Sequence, residues 1–168
     1  FFSFQRAGDH RGDLYPLRRQ RRMCTSDSGQ AAPQVLKCKA AVVSRDMRES
    51  GVPLAQAMIR GLTKQGVDVI DIGMASTPML YFATAYFKAD AGVQITASHN
   101  PAVYNGCKWC CEDAIPVSYD TGLSDMEKLV NKGAFTPADK PGTVKSEEIY
   151  SEYRANLLKY AGSVKPLT

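Results

Sequence analysis

The chain has 168 residues, of which 44% are hydrophobic and 23% are charged. This composition is ordinary for a globular protein, and the length allows one well-buried domain with an additional arm. No uninterrupted apolar stretch approaches the roughly 20 residues that a membrane-spanning helix needs, which excludes a protein built from such helices.

The net charge of +4 comes from one part of the chain. Residues 1–22 contain six arginines, four of them within residues 18–22, and two aspartates, whereas acidic and basic residues balance in the remainder. Such a cluster occurs in nucleic-acid-binding or nuclear-targeting segments and in organelle transit peptides. No aromatic platform accompanies it, so we expect no nucleic-acid partner. We predict a divergent, Arg-rich arm and linker over residues 1–34, with residues 24–33 as the linker.

The cysteine pattern bears on the cellular compartment. Five cysteines at wide spacing do not suggest a disulfide framework, and the single C-x-x-C pair, Cys107 and Cys110, has only two histidines in the chain to complete a zinc site. Reduced thiols are the simpler interpretation. We therefore expect a cytoplasmic protein, or one in an organelle matrix if the arginine cluster is a targeting segment.

The pattern of strands and helices becomes clear from residue 35 onward. Residues 40–43 are a short apolar run of the buried-strand type. Ser50 is placed to cap a following helix, Pro53 is tolerated in its first turn, and Gly66 is placed to end it. Apolar residues recur between them at helical spacing.

The next segments repeat this alternation. Residues 67–72 form a second predicted strand, Thr77 and Pro78 a cap and first helical position, residues 79–87 an apolar helix, and residues 91–96 a third strand. A β-α-β-α-β order with short connections predicts parallel strands and right-handed crossovers.

The remaining elements complete one domain over residues 35–160. A short strand at 107–109 follows too closely for a helical crossover, so it should pair antiparallel at a sheet edge. Residues 120–131 are predicted as a helix with its apolar side chains inward, and Ser146 as the cap of a last helix over 147–160. The expected fold is α/β, a helix–sheet–helix sandwich around a mixed, mostly parallel four-stranded sheet.

The most informative segment is residues 92–101, GVQITASHNP. Apolar and polar residues alternate up to Thr96, which is the period of a strand, and Pro101 then ends regular structure. Ser98 thus follows a strand end, where open α/β sheets bind ligands. The next strand returns Lys108 to this serine. A hydroxyl, the adjacent His99 imidazole and a nearby ammonium group make a plausible phosphate-handling site.

Three motifs resemble, in order, those of the α-D-phosphohexomutase superfamily, and the phosphomannomutase/phosphoglucomutase branch is the nearest. They are residues 44–51 (SRDMRESG), 73–78 (GMASTP), and the phosphoserine loop 96–101 (TASHNP) with 104–108 (YNGCK) behind it. Residues 8–12 (GDHRG) resemble an early Asp-x-Arg-Gly element. The resemblance covers roughly residues 36–160 and implies the family's first domain.

The resemblance also implies roles. Ser98 would be the phosphoacceptor, His99 would support it, and Lys108 would contribute to general acid/base chemistry. The residues implied in substrate or phosphate binding are Arg11, Arg45, Arg48, Thr96 and Asn100. Mg²⁺ would bind through a phosphate oxygen on Ser98, with its main carboxylate ligands in a second domain, and hexose 1,6-bisphosphate would be activator and intermediate.

Two kinds of protein fit this sequence. One is the N-terminal catalytic-serine domain of a phosphohexomutase that acts on mannose, glucose or glucosamine phosphates, with residues 161–168 beginning the linker to a second domain. Its partners would be a hexose phosphate and the remaining domains of the same polypeptide, and we expect no membrane partner. The other is a naturally short, non-catalytic module that binds phosphosugars or a protein. The reading frame after Thr168 would discriminate them.

Overall fold

A computed structural model describes the backbone of residues 2–4 and 14–161, with side chains described from Thr25 to Ala161. The strands are β1 (Phe2–Phe4), β2 (Ala40–Arg45), β3 (Asp68–Met74), β4 (Ala91–Ile95), β5 (Asn105–Cys111) and β6 (Val144–Ser146). The helices are α1 (Leu14–Leu36), α2 (Gly51–Lys64), α3 (Thr77–Tyr86), α4 (Ser124–Lys132) and α5 (Tyr150–Ala161). Among these residues no helix is long and apolar enough to cross a bilayer.

The sheet confirms the predicted fold class and adds to it. Its order is β1-β5-β4-β2-β3-β6. Strand β2 lies parallel to β3 and β4, and β5 lies antiparallel to β4, which is the predicted mixed sheet of four. Two three-residue strands extend it to six: β6 lies parallel to β3, and β1 lies antiparallel to β5. The prediction that β5 forms an edge is therefore wrong, because so short a strand as β1 leaves no periodic signal.

Helices cover both faces of the sheet, which gives the predicted three layers. On one face α1, α2 and α4 pack on the strands around buried residues such as Met58 and Met126. On the other face Leu80 of α3 and Ile149, just before α5, are buried against the strands. Both faces of the central strands are therefore buried, which explains their almost continuously apolar sequences.

The predicted linker over residues 24–33 is wrong, because this segment is helical and belongs to α1. Ala31 and Ala32 are completely buried in the core. A Cβ added at Gly29 would lie 2.7 Å from the carbonyl oxygen of Met58, so α1 and α2 cross in close contact. The small residues that suggested a linker are the ones that allow this approach. Arg11 and residues 162–168 lie outside the described residues.

Several helix ends also differ from prediction. Ser76, rather than Thr77, is the N-cap of α3 and accepts from the Met79 amide. Ser50 makes no capping hydrogen bond to α2, because its hydroxyl accepts from the Asn105 side chain instead. Ser146 lies in β6, so the last helix begins only at Tyr150. Gly66, with φ of +81°, follows the end of α2 as predicted.

Candidate active site

The candidate site lies where the carboxyl ends of β2 and β4 meet the start of β5. The chain leaves β4 at Ile95 and forms a loop over residues 96–104 before it returns along β5. In the antiparallel pairing Gln94 is opposite Lys108, so the lysine returns one register position from the strand end. The topology thus brings Ser98 and Lys108 together as the sequence predicts.

Ser98 is held in an uncommon backbone conformation. Its φ of +56° is in the left-handed region, which costs a non-glycine residue about 1–2 kcal/mol. Its hydroxyl oxygen accepts a hydrogen bond from Lys108 Nζ at 3.1 Å, and its amide donates to Thr96 Oγ1 at 2.9 Å. Ser98 is half-buried, and its hydroxyl lies against the Lys108 ammonium group.

Arg48 occupies the centre of the loop. Its Nε donates to Asp46 Oδ2 at 2.9 Å, and its two terminal nitrogens donate to four backbone carbonyl oxygens of the loop. These acceptors belong to Ser98 (3.1 Å), Asn100 (2.8 Å), Pro101 (2.7 Å) and Tyr104 (3.2 Å). A guanidinium group has five N–H donors, so none remains for a phosphate in this conformation.

The other predicted site residues differ in the hydrogen bonds that they make. Within the described residues Arg45 makes one long hydrogen bond, 3.4 Å to the Asp46 carbonyl oxygen, so its other donors have no described partner. Thr96 is buried and donates to Asp46 Oδ2 at 2.7 Å. Asn100 is exposed, and its side chain donates to the Ala97 carbonyl oxygen at 3.1 Å. Within the described chain exposed His99 has no hydrogen-bond partner, and it lies beside Ser98 at the rim.

Asp46 is a functional candidate that the sequence reasoning missed. Its carboxylate receives hydrogen bonds from the amide and Nε of Arg48 and from the hydroxyl of Thr96, so it links β2 to the serine loop. The available signal was its position directly after a buried strand and two residues before an arginine. A pair at this spacing can make both a backbone and a side-chain contact.

A buried polar pair lies below the loop and connects the motifs at residues 44–51 and 73–78 through β4. Ser44 donates to Gln94 Oε1, and Gln94 Nε2 donates to the Ala75 carbonyl oxygen at 2.9 Å. The Ala75 amide in turn donates to the Arg45 carbonyl oxygen at 3.0 Å. The motif at residues 73–78 therefore supports the site from beneath, since the Ser44 hydroxyl and both polar atoms of the Gln94 side chain have partners.

A cleft of about 630 Å³ lies elsewhere, beside the carboxyl end of β3. It is lined by residues 71–76 and 146–150 together with Met79, and it does not include Ser98. Its lining lacks a paired hydroxyl and ammonium group, so we place the chemistry at Ser98 rather than in this cleft.

The four cysteines whose side chains the structure describes are free thiols. Burial raises the pKa of Cys107 and of Cys38 to about 12, so neither thiol ionises near neutral pH. Between Thr25 and Ala161 no group of three or more potential ligands is placed to hold a metal ion. A phosphate on Ser98 could supply one oxygen to Mg²⁺, but the nearby Asp46 carboxylate is already bound to Arg48 and Thr96.

Comparison with known proteins decides the family. The family model described as "Phosphoglucomutase/phosphomannomutase, alpha/beta/alpha domain I" matches residues 17–137. The chain belongs to this family. A phosphomannomutase from Escherichia coli is 42% identical over 142 residues, which cover 83% of this chain and 31% of that protein. A probable phosphoglucosamine mutase from Pyrococcus horikoshii is 42% identical over 120 residues, which cover 70% of this chain and 26% of that protein.

The solved structures give the same result for the fold. A phosphoglucomutase/phosphomannomutase family protein from Burkholderia thailandensis superposes with a TM-score of 0.74 at 26% identity, over 88% of this chain and 33% of that one. The chain therefore corresponds to the N-terminal domain of the phosphohexomutase superfamily, as its motifs indicated. It spans about a third of the length of the Escherichia coli relative.

Proposed function

We propose that the chain is the catalytic-serine domain of a phosphohexomutase, an isomerase that moves a phosphoryl group between the 1 and 6 positions of a hexose phosphate. The observation that carries this proposal is the 3.1 Å hydrogen bond from Lys108 Nζ to Ser98 Oγ at the carboxyl end of β4. A serine hydroxyl is a poor nucleophile and its alkoxide a poor leaving group, so a positioned cation is what phosphoryl transfer through it requires.

The proposed cycle begins with a phosphoryl group on Ser98. The free sugar hydroxyl attacks this phosphorus, the bond from phosphorus to Ser98 Oγ breaks, and a bisphosphorylated hexose forms. Lys108 donates a hydrogen bond to the departing oxygen, where negative charge develops, and gives it a proton, which restores the Ser98 hydroxyl, while the proton of the sugar hydroxyl passes to solvent. After the intermediate turns round, Ser98 Oγ attacks its other phosphate, and the bond from that phosphorus to the sugar oxygen breaks. The neutral Lys108 amine takes the hydroxyl proton of Ser98 as the new bond forms, and the departing sugar oxygen takes a proton from solvent.

The remaining groups would bind and orient the substrate. Arg45 retains free donors for a phosphate, whereas Arg48 acts on the loop itself. His99 would support the phosphorylated serine from the solvent side, and Arg11 stays a predicted phosphate ligand outside the described residues. Mg²⁺, held through a phosphate oxygen on Ser98 and by carboxylates elsewhere in the polypeptide, would neutralise charge on the transferred group.

We propose two candidate classes of sugar substrate. Phosphomannomutase or phosphoglucomutase activity is our first proposal, and the Pyrococcus horikoshii relative supports phosphoglucosamine mutase as the second. The partners of this chain would be the hexose phosphate, hexose 1,6-bisphosphate and the remaining domains of the same polypeptide. We propose a cytoplasmic location, because the described cysteines Cys38, Cys107, Cys110 and Cys111 are free.

A turnover assay on the complete polypeptide that the gene encodes tests this proposal. We expect conversion of mannose 1-phosphate, glucose 1-phosphate or glucosamine 1-phosphate when Mg²⁺ and the matching bisphosphate are added. Ser98→Ala should abolish turnover. Ser151→Ala is the matched control, because it makes the same change at an exposed position of α5 and should leave turnover unchanged. Full activity of Ser98→Ala would refute the proposal.

A further inference from the structure

We propose that Asp46 and Arg48 are positioning residues, which hold Ser98 in its left-handed conformation rather than bind substrate phosphate. The proposal rests on the proposed role of Ser98, but the two residues act on the backbone around it. Their contacts are with five residues spread along the loop, namely Thr96, Ser98, Asn100, Pro101 and Tyr104. The pair would therefore decide where the Ser98 hydroxyl is aimed.

The first support is the number of donors that Arg48 uses. All five N–H groups of its guanidinium have acceptors, and four of these acceptors are carbonyl oxygens within the seven residues 98–104. Its side chain is only 10% exposed. Arg45, on the same rim, has a single long hydrogen bond to the part of the chain that the structure describes, so it differs from Arg48 in having donors without a described partner.

The second support is that Arg48 binds the Ser98 carbonyl oxygen directly, whereas Asp46 acts on the Ser98 amide through Thr96. The Ser98 carbonyl oxygen accepts from Arg48 at 3.1 Å, and its amide donates to Thr96 Oγ1 at 2.9 Å. Thr96 uses its one hydroxyl proton to donate to the Asp46 carboxylate at 2.7 Å, so its lone pairs are left to accept from that amide. Asp46 therefore sets the polarity of the contact that fixes the amide.

Together these bonds restrain the rotations on both sides of the Ser98 Cα atom. Asp46 is itself fixed, because its own amide donates to the Ile95 carbonyl oxygen at 3.0 Å and its carboxylate is paired with Arg48 at 2.9 Å. The charged hydrogen bonds involved are stronger than neutral ones. The end of β2 thus imposes a conformation on the nucleophile that serine does not adopt readily by itself.

Kinetics of Arg48→Ala in the complete polypeptide separate positioning from binding. A misdirected nucleophile lowers kcat, and errors of about 1 Å cost on the order of 100-fold. We expect kcat to fall about 100-fold while KM changes less than about threefold, with partial recovery on adding methylguanidinium, which can occupy the vacated site. Arg60→Ala, on the exposed side of α2, should leave both constants unchanged. A KM raised more than tenfold at unchanged kcat would assign Arg48 to phosphate binding and overturn the proposal.

Thr96→Val gives an independent test if Arg48→Ala does not fold. It keeps the shape of the side chain and removes only the hydroxyl that joins Asp46 to the Ser98 amide. We expect kcat to fall about tenfold, with recovery in Thr96→Ser. Wild-type kcat in Thr96→Val would overturn the proposal.

Hydrogen exchange of the 168-residue chain separates this proposal from the proposed function. In the native chain the Ser98 amide should exchange slowly, and Thr96→Val should raise its rate at least about tenfold. That result is expected whether or not the complete protein has mutase activity. Rapid exchange of this amide in the unaltered chain would overturn the positioning role, and would leave the phosphoacceptor role of Ser98 untouched.

Discussion

Replacing Lys108 with methionine removes the ammonium group while it keeps an unbranched side chain of similar length. In the structure Nζ donates to Ser98 Oγ at 3.1 Å, and in the proposed reaction this is the atom on which negative charge develops during transfer. A hydrogen bond to a charged group contributes about 1.5–3 kcal/mol. Since about 1.4 kcal/mol corresponds to a tenfold change in rate, this contact alone is worth about 10- to 150-fold in kcat.

A role in proton transfer adds to that loss, because a positioned acid or base contributes at least about 100-fold. We therefore expect kcat of Lys108→Met to fall at least about 100-fold in a coupled mutase assay on the complete polypeptide. Ser98 should still accept phosphate from the bisphosphate. Lys128→Met is the matched control, since that lysine is exposed and paired only with Asp125. A Lys108→Met kcat within about threefold of wild type would refute the assigned role of the lysine.

Four further predictions follow from the structure. Gly29→Ala should destabilise the chain by about 1–3 kcal/mol in urea denaturation, because its Cβ would lie 2.7 Å from the Met58 carbonyl oxygen; increased stability would contradict the close crossing of α1 and α2. Ser98→Gly should be more stable than Ser98→Ala by about 1 kcal/mol, since φ is +56°, and equal stability would mean that the left-handed conformation is not adopted. Cys107 should resist iodoacetamide at pH 8 in the native chain and react in urea, and labelling of the native thiol would contradict its burial. Because burial raises the pKa of Cys107 from 9.0 to about 12, the contribution of this thiol to the free energy of unfolding should be lost as pH rises through that interval. The 168-residue chain alone should show no mutase turnover above its Ser98→Ala variant, because its match covers only 31% of the Escherichia coli relative.

The sequence predicts the central part of the fold well because one physical signal dominates there. Between β2 and β5, apolar runs buried on both faces alternate with helices that have a clear beginning and end. The signal fails in α1, where Gly29 and the neighbouring small residues indicate a linker by composition. Only the opposing surface of α2 shows that these residues pack closely. The prediction that Ser146 caps a helix fails for a related reason, since the pairing of β6 with β3 overrides an isolated capping signal.

In the candidate site the sequence predicts which residues lie close together but not which contacts each one makes. Ser98 and Lys108 lie together as expected, since strand order determines their placement. Arg45 and Arg48 both follow β2 and cannot be told apart by position. Their contacts differ, because one guanidinium has all its donors occupied and the other has donors without a described partner. That difference depends on the course of the loop, which contains no regular period to predict it.

Mapping of phosphate by mass spectrometry tests the central claim most directly. The complete polypeptide is treated with hexose 1,6-bisphosphate, digested, and compared with its Ser98→Ala variant. We predict phosphate on the peptide that contains Ser98, at the residue itself, and none in the variant. Phosphate on Thr96 or Ser118, with the Ser98→Ala variant still fully active, would contradict the assignment of Ser98 as the phosphoacceptor.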